Sequence, residues 1–216
     1  VMACVALLSG CATVQDGGAT RSVNDPIEPV NRSVHALNKG IDTVVLRPVS
    51  VVYGSVVPAP LRQGIGNMAA NLGEPSHFVN HVFQARLDAA ATNGARFLIN
   101  STVGVLGLFD VATLMGLEAQ TANFGETLHV WGAGEGAFLE IPLFGPSTTR
   151  DTTGLLVDLA LNPLSHIGPN NDVIEFSRPV RAADVVGDRY ALRGTIDAVL
   201  YDSADSYAQS RLIYLQ

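Results

Sequence analysis

The segment from Arg96 to Leu117 constrains the fold of this chain more than any other. It is among the most apolar windows of the sequence, and it is long enough to cross a bilayer, which takes roughly 20 apolar residues. Asp110 is the only charged residue between Arg96 and Glu118. Asparagine and aspartate within the segment each cost free energy in hydrocarbon unless they face protein or water. The segment is therefore too apolar for an exposed surface and too polar for a simple membrane span.

Two glycines, Gly104 and Gly107, divide this segment into pieces that are each too short to span a bilayer singly. We therefore predict a helical hairpin that dips into the membrane. A buried hairpin in the core of a soluble helical protein is the alternative. The two interpretations differ in what surrounds the hairpin, which is lipid and water in the first and packed side chains in the second.

The chain carries few charged residues, 15% against about 25% in a typical soluble domain. Hydrophobic residues make up 47% of it. This composition favours a domain that hides a large apolar surface in a membrane or a partner, and a strongly apolar globular protein is the alternative. The net charge of −7, without any cluster of Lys or Arg, argues against nucleic acid as a partner.

The N-terminus has the pattern of a bacterial lipoprotein signal. A short apolar run leads into Leu8-Ser9-Gly10 and then Cys11, whose thiol can take a thioether-linked lipid. No basic region precedes the apolar run, so we expect the first residues of the signal to be missing. Cleavage before Cys11 would leave residues 1–10 as a signal remnant and 11–23 as a flexible, lipidated tether. A chance match in a cytosolic protein is the alternative.

The two cysteines, Cys4 and Cys11, both lie in this N-terminal region. The body of the protein therefore has no disulfide and no cysteine-ligated metal site. Ala12 follows the predicted lipidated cysteine, where an aspartate commonly retains lipoproteins in the inner membrane of enterobacteria, so Ala12 favours the outer membrane. The acyl chains would anchor the protein firmly, because each buried CH₂ contributes about 0.8 kcal/mol.

From residue 24 to 216 the sequence predicts one mostly helical domain with little or no strand. Asp25-Pro26 is a helix start signal, and the helix that follows is expected to end at Pro48. The apolar, β-branched stretch Val49–Val57 is left open between a helix and a strand. Ser147 is expected to be the N-cap of a helix, since its hydroxyl can accept a free backbone N–H. Other helices are expected from Pro60, at Phe78–Phe83, from Leu87 into the apolar segment, over Phe124–Trp131 and around Tyr207–Tyr214, with a brief extended piece at Phe138–Phe144.

No metal site is predicted from the histidines. His77 and His81 stand at i, i+4, but a zincin needs a glutamate after the first histidine and this chain has Phe78 there. A third ligand, His129 or His166, would have to come from elsewhere in the fold. Two histidines on a surface or an interface are the favoured interpretation.

The sequence also lacks the patterns of common enzymes. The G-x-G-x-x-A run that begins at Gly132 has no strand–helix context for a dinucleotide, and no serine occupies a G-x-S-x-G frame. The acidic pairs are better explained as helix-terminus and surface charges than as catalytic dyads; they are Asp151 with Asp158 and Glu135 with Glu140. We expect no enzyme activity, no metal and no cofactor apart from the covalent lipid on Cys11.

A series of motifs nevertheless runs in order through almost the whole chain after the tether. They are Asn24–Arg32, Asn71–Pro75 with Phe78–Asn80, Arg96–Thr102 leading to Gly107–Ala112, Phe124–Leu128, Trp131-Gly132, Pro142–Ser147 with Arg150-Asp151, Ser203–Asp205, Tyr207 and Tyr214–Gln216. With the lipoprotein signal, this series resembles the MlaA/VacJ family of outer-membrane lipoproteins of Gram-negative bacteria. A long collinear series is much more specific than any single motif.

The resemblance implies an all-α, ring-like domain sunk in the inner leaflet of the outer membrane. It implies an amphipathic channel through which mislocalised phospholipids leave the outer leaflet, which would maintain lipid asymmetry without a chemical step. The implied partners are phospholipids, a trimeric outer-membrane porin and a soluble periplasmic lipid carrier. A porin-bound adaptor lipoprotein that moves no lipid is the main alternative, and a lipid hydrolase is a third hypothesis.

If such a channel exists, its headgroup path needs polar side chains at membrane depth, where irregular backbone is tolerated around an aqueous lumen. The candidates for this lining come from the apolar segment and are Asn100, Ser101, Thr102 and Asp110. Gly104 and Gly107 are the candidates for a hinge beside it. Helix capping or packing is the alternative role of each residue.

Overall fold

The computed structural model describes residues 23–166 and 172–216. The predicted signal, the tether and the lipidation site Cys11 lie outside the described residues. Within them the fold is helical, as predicted, with one small two-stranded sheet. In the described ranges, no helix has both the length and the apolar character needed to cross a membrane.

The first helix does not end at Pro48, so that prediction is wrong. Helix α1 (Glu28–Ile41) continues through a π-helical turn (Asp42–Leu46) into α2 (Arg47–Val56), and Pro48 lies in the first turn of α2. A proline ring normally clashes with the carbonyl one turn earlier, and the wider π-helical turn before it makes room for the ring. The open stretch Val49–Val57 is therefore helical over most of its length.

The other predicted helices are all present, and the structure has further helices at Val111–Leu114, Asp172–Ala191 and Arg193–Asp197. After α2 the helical elements are α3 (Ala59–Asn71), α4 (Glu74–Phe83), α5 (Leu87–Thr102), α6 (Val111–Leu114), α7 (Phe124–Val130), α8 (Thr149–Leu161), a 3₁₀ turn (Pro163–His166), α9 (Asp172–Ala191), α10 (Arg193–Asp197), a π-helical turn (Ala198–Asp202) and α11 (Ser206–Tyr214). Helix α4 packs on α5, α7 on α8, and the long α9 on both α2 and α3. The apolar segment therefore forms the end of α5, a turn and α6.

The two strands form an antiparallel hairpin between α7 and α8. Strand β1 (Phe138–Ile141) pairs with β2 (Gly145–Thr148), so that Phe138 lies opposite Thr148. The predicted N-cap Ser147 is wrong by one residue, because Thr148 accepts the cap hydrogen bond from the Asp151 backbone N–H. Ser147 is held in β2 by the strand pairing.

The distribution of side chains departs in two ways from that in an ordinary soluble domain. Many of the most buried side chains are polar or charged, including Asn80, Asn93 and Arg189. Large apolar side chains cover the exterior, with Val44 75%, Val56 72% and Leu114 86% exposed. Large apolar side chains are usually buried in a soluble protein. An exterior this apolar therefore indicates contact with a membrane or with another protein.

A buried ion pair joins the N-terminal helices to the C-terminal ones. The Arg189 guanidinium on α9 donates to both carboxylate oxygens of Asp42, at 2.7 and 2.9 Å, and to Asp197 at 2.6 Å. The Tyr201 hydroxyl donates to the same Asp42 carboxylate at 2.7 Å. Buried charges must be paired in this way, so these contacts fix α9 and the turn after α10 against the end of α1.

Helices α2 and α9 approach closely at Gly54. A Cβ at this position would lie 2.3 Å from the ring of Tyr190. We predict that Gly54→Ala destabilises the fold by about 1–3 kcal/mol, because overpacking pushes the helices apart. Gly40→Ala is the matched control, since nothing lies within 4 Å of a Cβ there and alanine is the better helix former. Urea unfolding in detergent measures both, and equal midpoints for the two variants would contradict this packing.

Candidate functional site

Arg96 is the centre of a buried polar network at the base of the hairpin formed by α5 and α6. Its guanidinium, on a residue that is 3% exposed, donates to Glu74 on α4 at 2.7 Å and to the Thr113 hydroxyl on α6 at 2.9 Å. A third contact goes to the Leu117 carbonyl oxygen. A buried guanidinium is stable only when paired and hydrogen-bonded, so this side chain ties both arms of the hairpin to α4.

Asn100 and Asp110 extend the network toward the turn. The Asn100 amide donates to Asp110 at 2.9 Å, and its oxygen accepts the backbone N–H of Ala112 at 2.9 Å. Asp110 is the N-cap of α6, where it accepts from the backbone N–H and the hydroxyl of Thr113. Burial raises the pKa of Asp110, but the hydrogen bonds from Thr113 and Asn100 and the charge of Arg96 outweigh it and hold the pKa at about 2. Asp110 is therefore an anion at neutral pH.

The turn that joins α5 to α6 has an unusual backbone. Val105, Leu106 and Gly107 are consecutive residues in the left-handed region, with φ of 54°, 57° and 90°. A β-branched residue such as Val105 is seldom found there, and this conformation costs on the order of 1–3 kcal/mol. At Gly104, a Cβ would lie 2.2 Å from the Phe109 carbonyl oxygen. Both predicted hinge glycines are thus required by the folded turn, and their role as a hinge stays a prediction.

The turn rests on one face of α3. The Asn71 amide donates to the Ser101 hydroxyl at 2.9 Å, and the Asn67 amide donates to the Leu108 carbonyl oxygen at 3.3 Å. One turn earlier on the same helix, Gly64 leaves space for the Leu108 side chain, which would lie 2.7 Å from a Cβ. Polar side chains of α3 thus hold the apolar turn in place.

Two cavities flank the turn. One, of about 410 Å³, has mainly apolar walls with Ser101, Asn71 and Asp172 at its border, and its apolar lining includes Leu72, Phe97, Leu106 and Phe176. The other, of about 670 Å³, is bordered by Asp110, Thr113 and Asn67 together with apolar side chains that include Leu61 and Phe109. An apolar cavity and a partly polar one, separated by a single turn, could together accommodate an amphiphile.

The four predicted lining residues differ in their surroundings. Ser101 borders the apolar cavity and Asp110 borders the other one. Asn100 is 3% exposed, with both ends of its amide bonded to Asp110 and Ala112, so it supports the turn from inside. Thr102 is exposed, and its hydroxyl bonds back to the Leu98 carbonyl oxygen at 2.7 Å. Whether these residues line a channel stays a prediction.

The sequence analysis missed the partners that hold the segment in place. Three polar residues on α5, Asn93, Arg96 and Asn100, are spaced i, i+3, i+7 and are all buried. This spacing could have indicated a polar stripe on one face of an apolar helix. Glu74 on α4 carries no such signal, because its partner Arg96 lies 22 residues away in the sequence.

The two helical histidines hold a loop, and His81 is fully buried, so its interpretation as a surface residue is wrong. His77 Nδ1 lies 2.7 Å from the Ala122 carbonyl oxygen, and His81 Nε2 lies 3.4 Å from that of Gln120. Burial lowers the pKa of His81, which favours the neutral ring. In the part of the chain that the structure describes, no three His, Cys, Asp or Glu residues are grouped so that they could hold a metal ion.

Comparison with known proteins matches residues 23–216 to the family described as MlaA lipoprotein, which is nearly the entire chain. The chain belongs to the MlaA lipoprotein family. The match begins where the predicted tether ends, and it includes the hairpin, the turn and both cavities described above.

Individual relatives support this membership. An uncharacterized protein of Rickettsia felis is 34% identical over 190 residues, which are 88% of this chain and 74% of the relative. The intermembrane phospholipid transport system lipoprotein MlaA of Shigella flexneri is 31% identical over 214 residues, or 97% of this chain and 82% of the relative. A solved structure is described as the structural basis for maintenance of bacterial outer membrane lipid asymmetry. It matches this chain with a TM-score of 0.75 at 32% sequence identity, and the match covers 89% of this chain and 96% of the solved chain.

The Arg96–Glu74 pair gives a direct test of the network. We predict that Glu74→Gln destabilises the protein by about 3 kcal/mol, because it leaves a buried guanidinium without its nearest carboxylate. Glu28→Gln is the matched control, since the Glu28 side chain is 40% exposed in its contacts to Arg32 and Arg211. Unfolding midpoints in urea compare the two variants. A Glu74→Gln midpoint as close to the wild type as that of the control would show that the pair does not hold the hairpin.

Proposed function

We propose that this MlaA-family chain removes phospholipids that have reached the outer leaflet of the outer membrane and so maintains lipid asymmetry. The observation that carries the proposal is the pair of cavities on either side of the turn at 103–109, set in a domain with an apolar exterior and a polar interior. The Shigella relative is named for phospholipid transport, and the solved structure is described in terms of outer membrane lipid asymmetry, which supports the same activity for this chain. Movement of a lipid needs no chemical step.

The exterior supports a position within one leaflet. Apolar side chains project outward from α2, from the end of α5 and from α6. Burying apolar surface in lipid stabilises the protein by about 25 cal/mol per Å² removed from water. A ring-like domain sunk in a single leaflet would place these apolar side chains in contact with lipid. Lipid on Cys11 would anchor it from the periplasmic face.

The two cavities support a route for an amphiphile. The apolar cavity suits acyl chains, and the second cavity offers Asp110, Thr113 and Asn67 to a polar headgroup. The turn at 103–109 separates them, so a lipid that passes from one to the other must displace it. In this proposal Ser101 and Asp110 border the route, and Asn100 sets the position of Asp110. Gly104 and Gly107 allow the turn to move.

The proposed partners follow from family membership. A trimeric porin would hold the domain in the outer membrane, and a soluble periplasmic carrier would receive the lipid. The exposed apolar faces of α2 and α6 are compatible with contact to a membrane protein as well as to lipid. Copurification from detergent-solubilised outer membranes tests the porin.

Deletion of the gene gives the primary test. We predict that cells without the protein accumulate phospholipid in the outer leaflet, because nothing removes it. An acylation assay specific for the outer leaflet measures this pool. Expression of the wild-type chain should return the pool to its normal level. An unchanged amount of outer-leaflet phospholipid in the deletion strain would contradict the proposal.

Two variants separate lipid movement from a purely structural role. Asn100→Leu removes the bonds that position Asp110 and Ala112, and Gly104→Pro replaces a glycine where even a Cβ does not fit. We predict that neither restores lipid asymmetry in the deletion strain. Thr102→Val is the control, because Thr102 is exposed and borders neither cavity. If both variants fold, keep the porin and restore asymmetry fully, the protein acts as a porin-bound adaptor.

A further inference from the structure

Three side chains far from the hairpin form a Ser–His–Glu array. His35 on α1 has its Nε2 3.0 Å from the Ser206 hydroxyl at the start of α11, and its Nδ1 3.2 Å from the Glu140 carboxylate on β1. His35 is 6% exposed and the Glu140 side chain is 1% exposed, so the interpretation of Glu140 as a helix-terminus or surface charge is wrong. A nucleophile bonded to a base, which is itself oriented by a buried acid, is the arrangement that activates a serine in several unrelated enzyme folds.

The hydrogen bonds fix the protonation of the imidazole. A carboxylate can only accept, so the Nδ1 that faces Glu140 must carry the proton. In the neutral ring Nε2 is then the acceptor, and it receives the hydroxyl proton of Ser206. The Tyr207 ring lies edge-on to the imidazole with centroids 5.7 Å apart, and the Asn38 amide donates to the same Glu140 oxygen at 3.3 Å. The base is thus held in the tautomer that can take a proton from serine.

Ser206 and His35 line an open groove of about 480 Å³ between α1 and α11. Lys39, one turn after His35 on the same helix, also lines it, and its ammonium lies over the Tyr201 ring, 5.4 Å from the centroid. The carboxylate of Asp205, which borders the groove, is neutralised by two hydrogen bonds from Arg32, at 3.1 and 2.9 Å. Among the described ion pairs none involves Lys39, so the groove presents an ammonium without an anionic partner beside the serine.

We propose that this groove hydrolyses short-acyl carboxylic esters that carry an anionic group. Ser206 Oγ attacks the ester carbonyl carbon while its proton passes to His35 Nε2. The bond to the alcohol oxygen then breaks, and the alcohol leaves with that proton. A water molecule attacks the acyl-serine, gives a proton to His35, and releases the carboxylic acid as Ser206 recovers its proton. Glu140 is the positioning residue that orients His35.

The groove also limits the substrate. Its aliphatic lining consists of the short side chains of Ala36 and Ala204, which leave no trough for a long acyl chain. The Lys39 ammonium is placed to bind an anionic group on the ester. Because the first N–H groups of a helix have no intrahelical acceptor, the backbone N–H of Ser206 can donate to the carbonyl oxygen as negative charge develops on it.

Covalent labelling tests the nucleophile directly. The full-length protein in detergent is treated with a fluorophosphonate probe, and the modified peptide is located by mass spectrometry. We expect an adduct on Ser206, its loss in Ser206→Ala and His35→Gln, and its retention in the matched control Ser210→Ala. An unlabelled Ser206 in the folded wild-type protein overturns the proposal and assigns the array a structural role only.

Hydrolysis assays test the substrate class. p-Nitrophenyl acetate is the neutral probe and acetylsalicylate the anionic one, and Ser206→Ala should abolish enzymatic turnover of both. Glu140→Gln should lower kcat about 10²-fold with little change in KM, and Glu140→Asp should recover part of the loss. Lys39→Gln should lower kcat/KM about two- to five-fold for acetylsalicylate only, the range of one exposed ion pair.

Two further outcomes distinguish this activity from lipid transport. Vesicles of phosphatidylethanolamine and phosphatidylglycerol should release no fatty acid, and release that depends on Ser206 would overturn the short-acyl assignment. Ser206→Ala should still restore lipid asymmetry in the deletion strain, because the array lies apart from both cavities. Turnover of the small esters that persists unchanged in Ser206→Ala would overturn the proposed nucleophile.

Discussion

The hairpin depends on one buried cation. The left-handed turn is closed by its own backbone hydrogen bonds, among them Gly107 N–H to the Asn100 carbonyl oxygen at 2.8 Å. The Arg96 guanidinium holds the two arms of the hairpin against α4 through its contacts to Glu74, Thr113 and the Leu117 carbonyl oxygen. In the interior this charge cannot be left unpaired, so the positions of its partners are strongly specified. The strain in the turn at 103–109 is offset by contacts that the network and α3 provide. The two cavities exist because the turn is held between them.

The same principle operates at the other end of the chain, where Arg189 joins α9 to Asp42 and Asp197. Both networks place charge inside and leave apolar side chains outside. In water this distribution would be costly, and in a leaflet it is favourable, because the exterior meets lipid while the paired charges stay away from it. Polar contacts thus specify the fold, and the apolar exterior determines the surroundings in which it is stable.

Much of the helical architecture could be predicted from local pattern. The apolar spacing predicted α3, α4, α5 and α11, and Gly104 and Gly107 predicted the break between α5 and α6. The local errors have local causes: a π-helical turn accommodates Pro48, and strand pairing extends through Ser147 to Thr148. The networks could not be predicted, because their partners are distant in sequence. Glu140 and Ser206 lie 105 and 171 residues from His35, and no periodicity connects them.

In the proposed mechanism, lipid passes between the two cavities only if the turn at 103–109 moves. A disulfide between Gly64→Cys and Leu108→Cys would lock the turn on α3, where the two side chains would be in contact. The measurement is the outer-leaflet phospholipid pool in cells that carry this double variant, under oxidising conditions and after addition of a reductant. The account predicts a pool as high as in the deletion strain when the disulfide is closed, and a normal pool after reduction. A normal pool with the disulfide fully formed would contradict it.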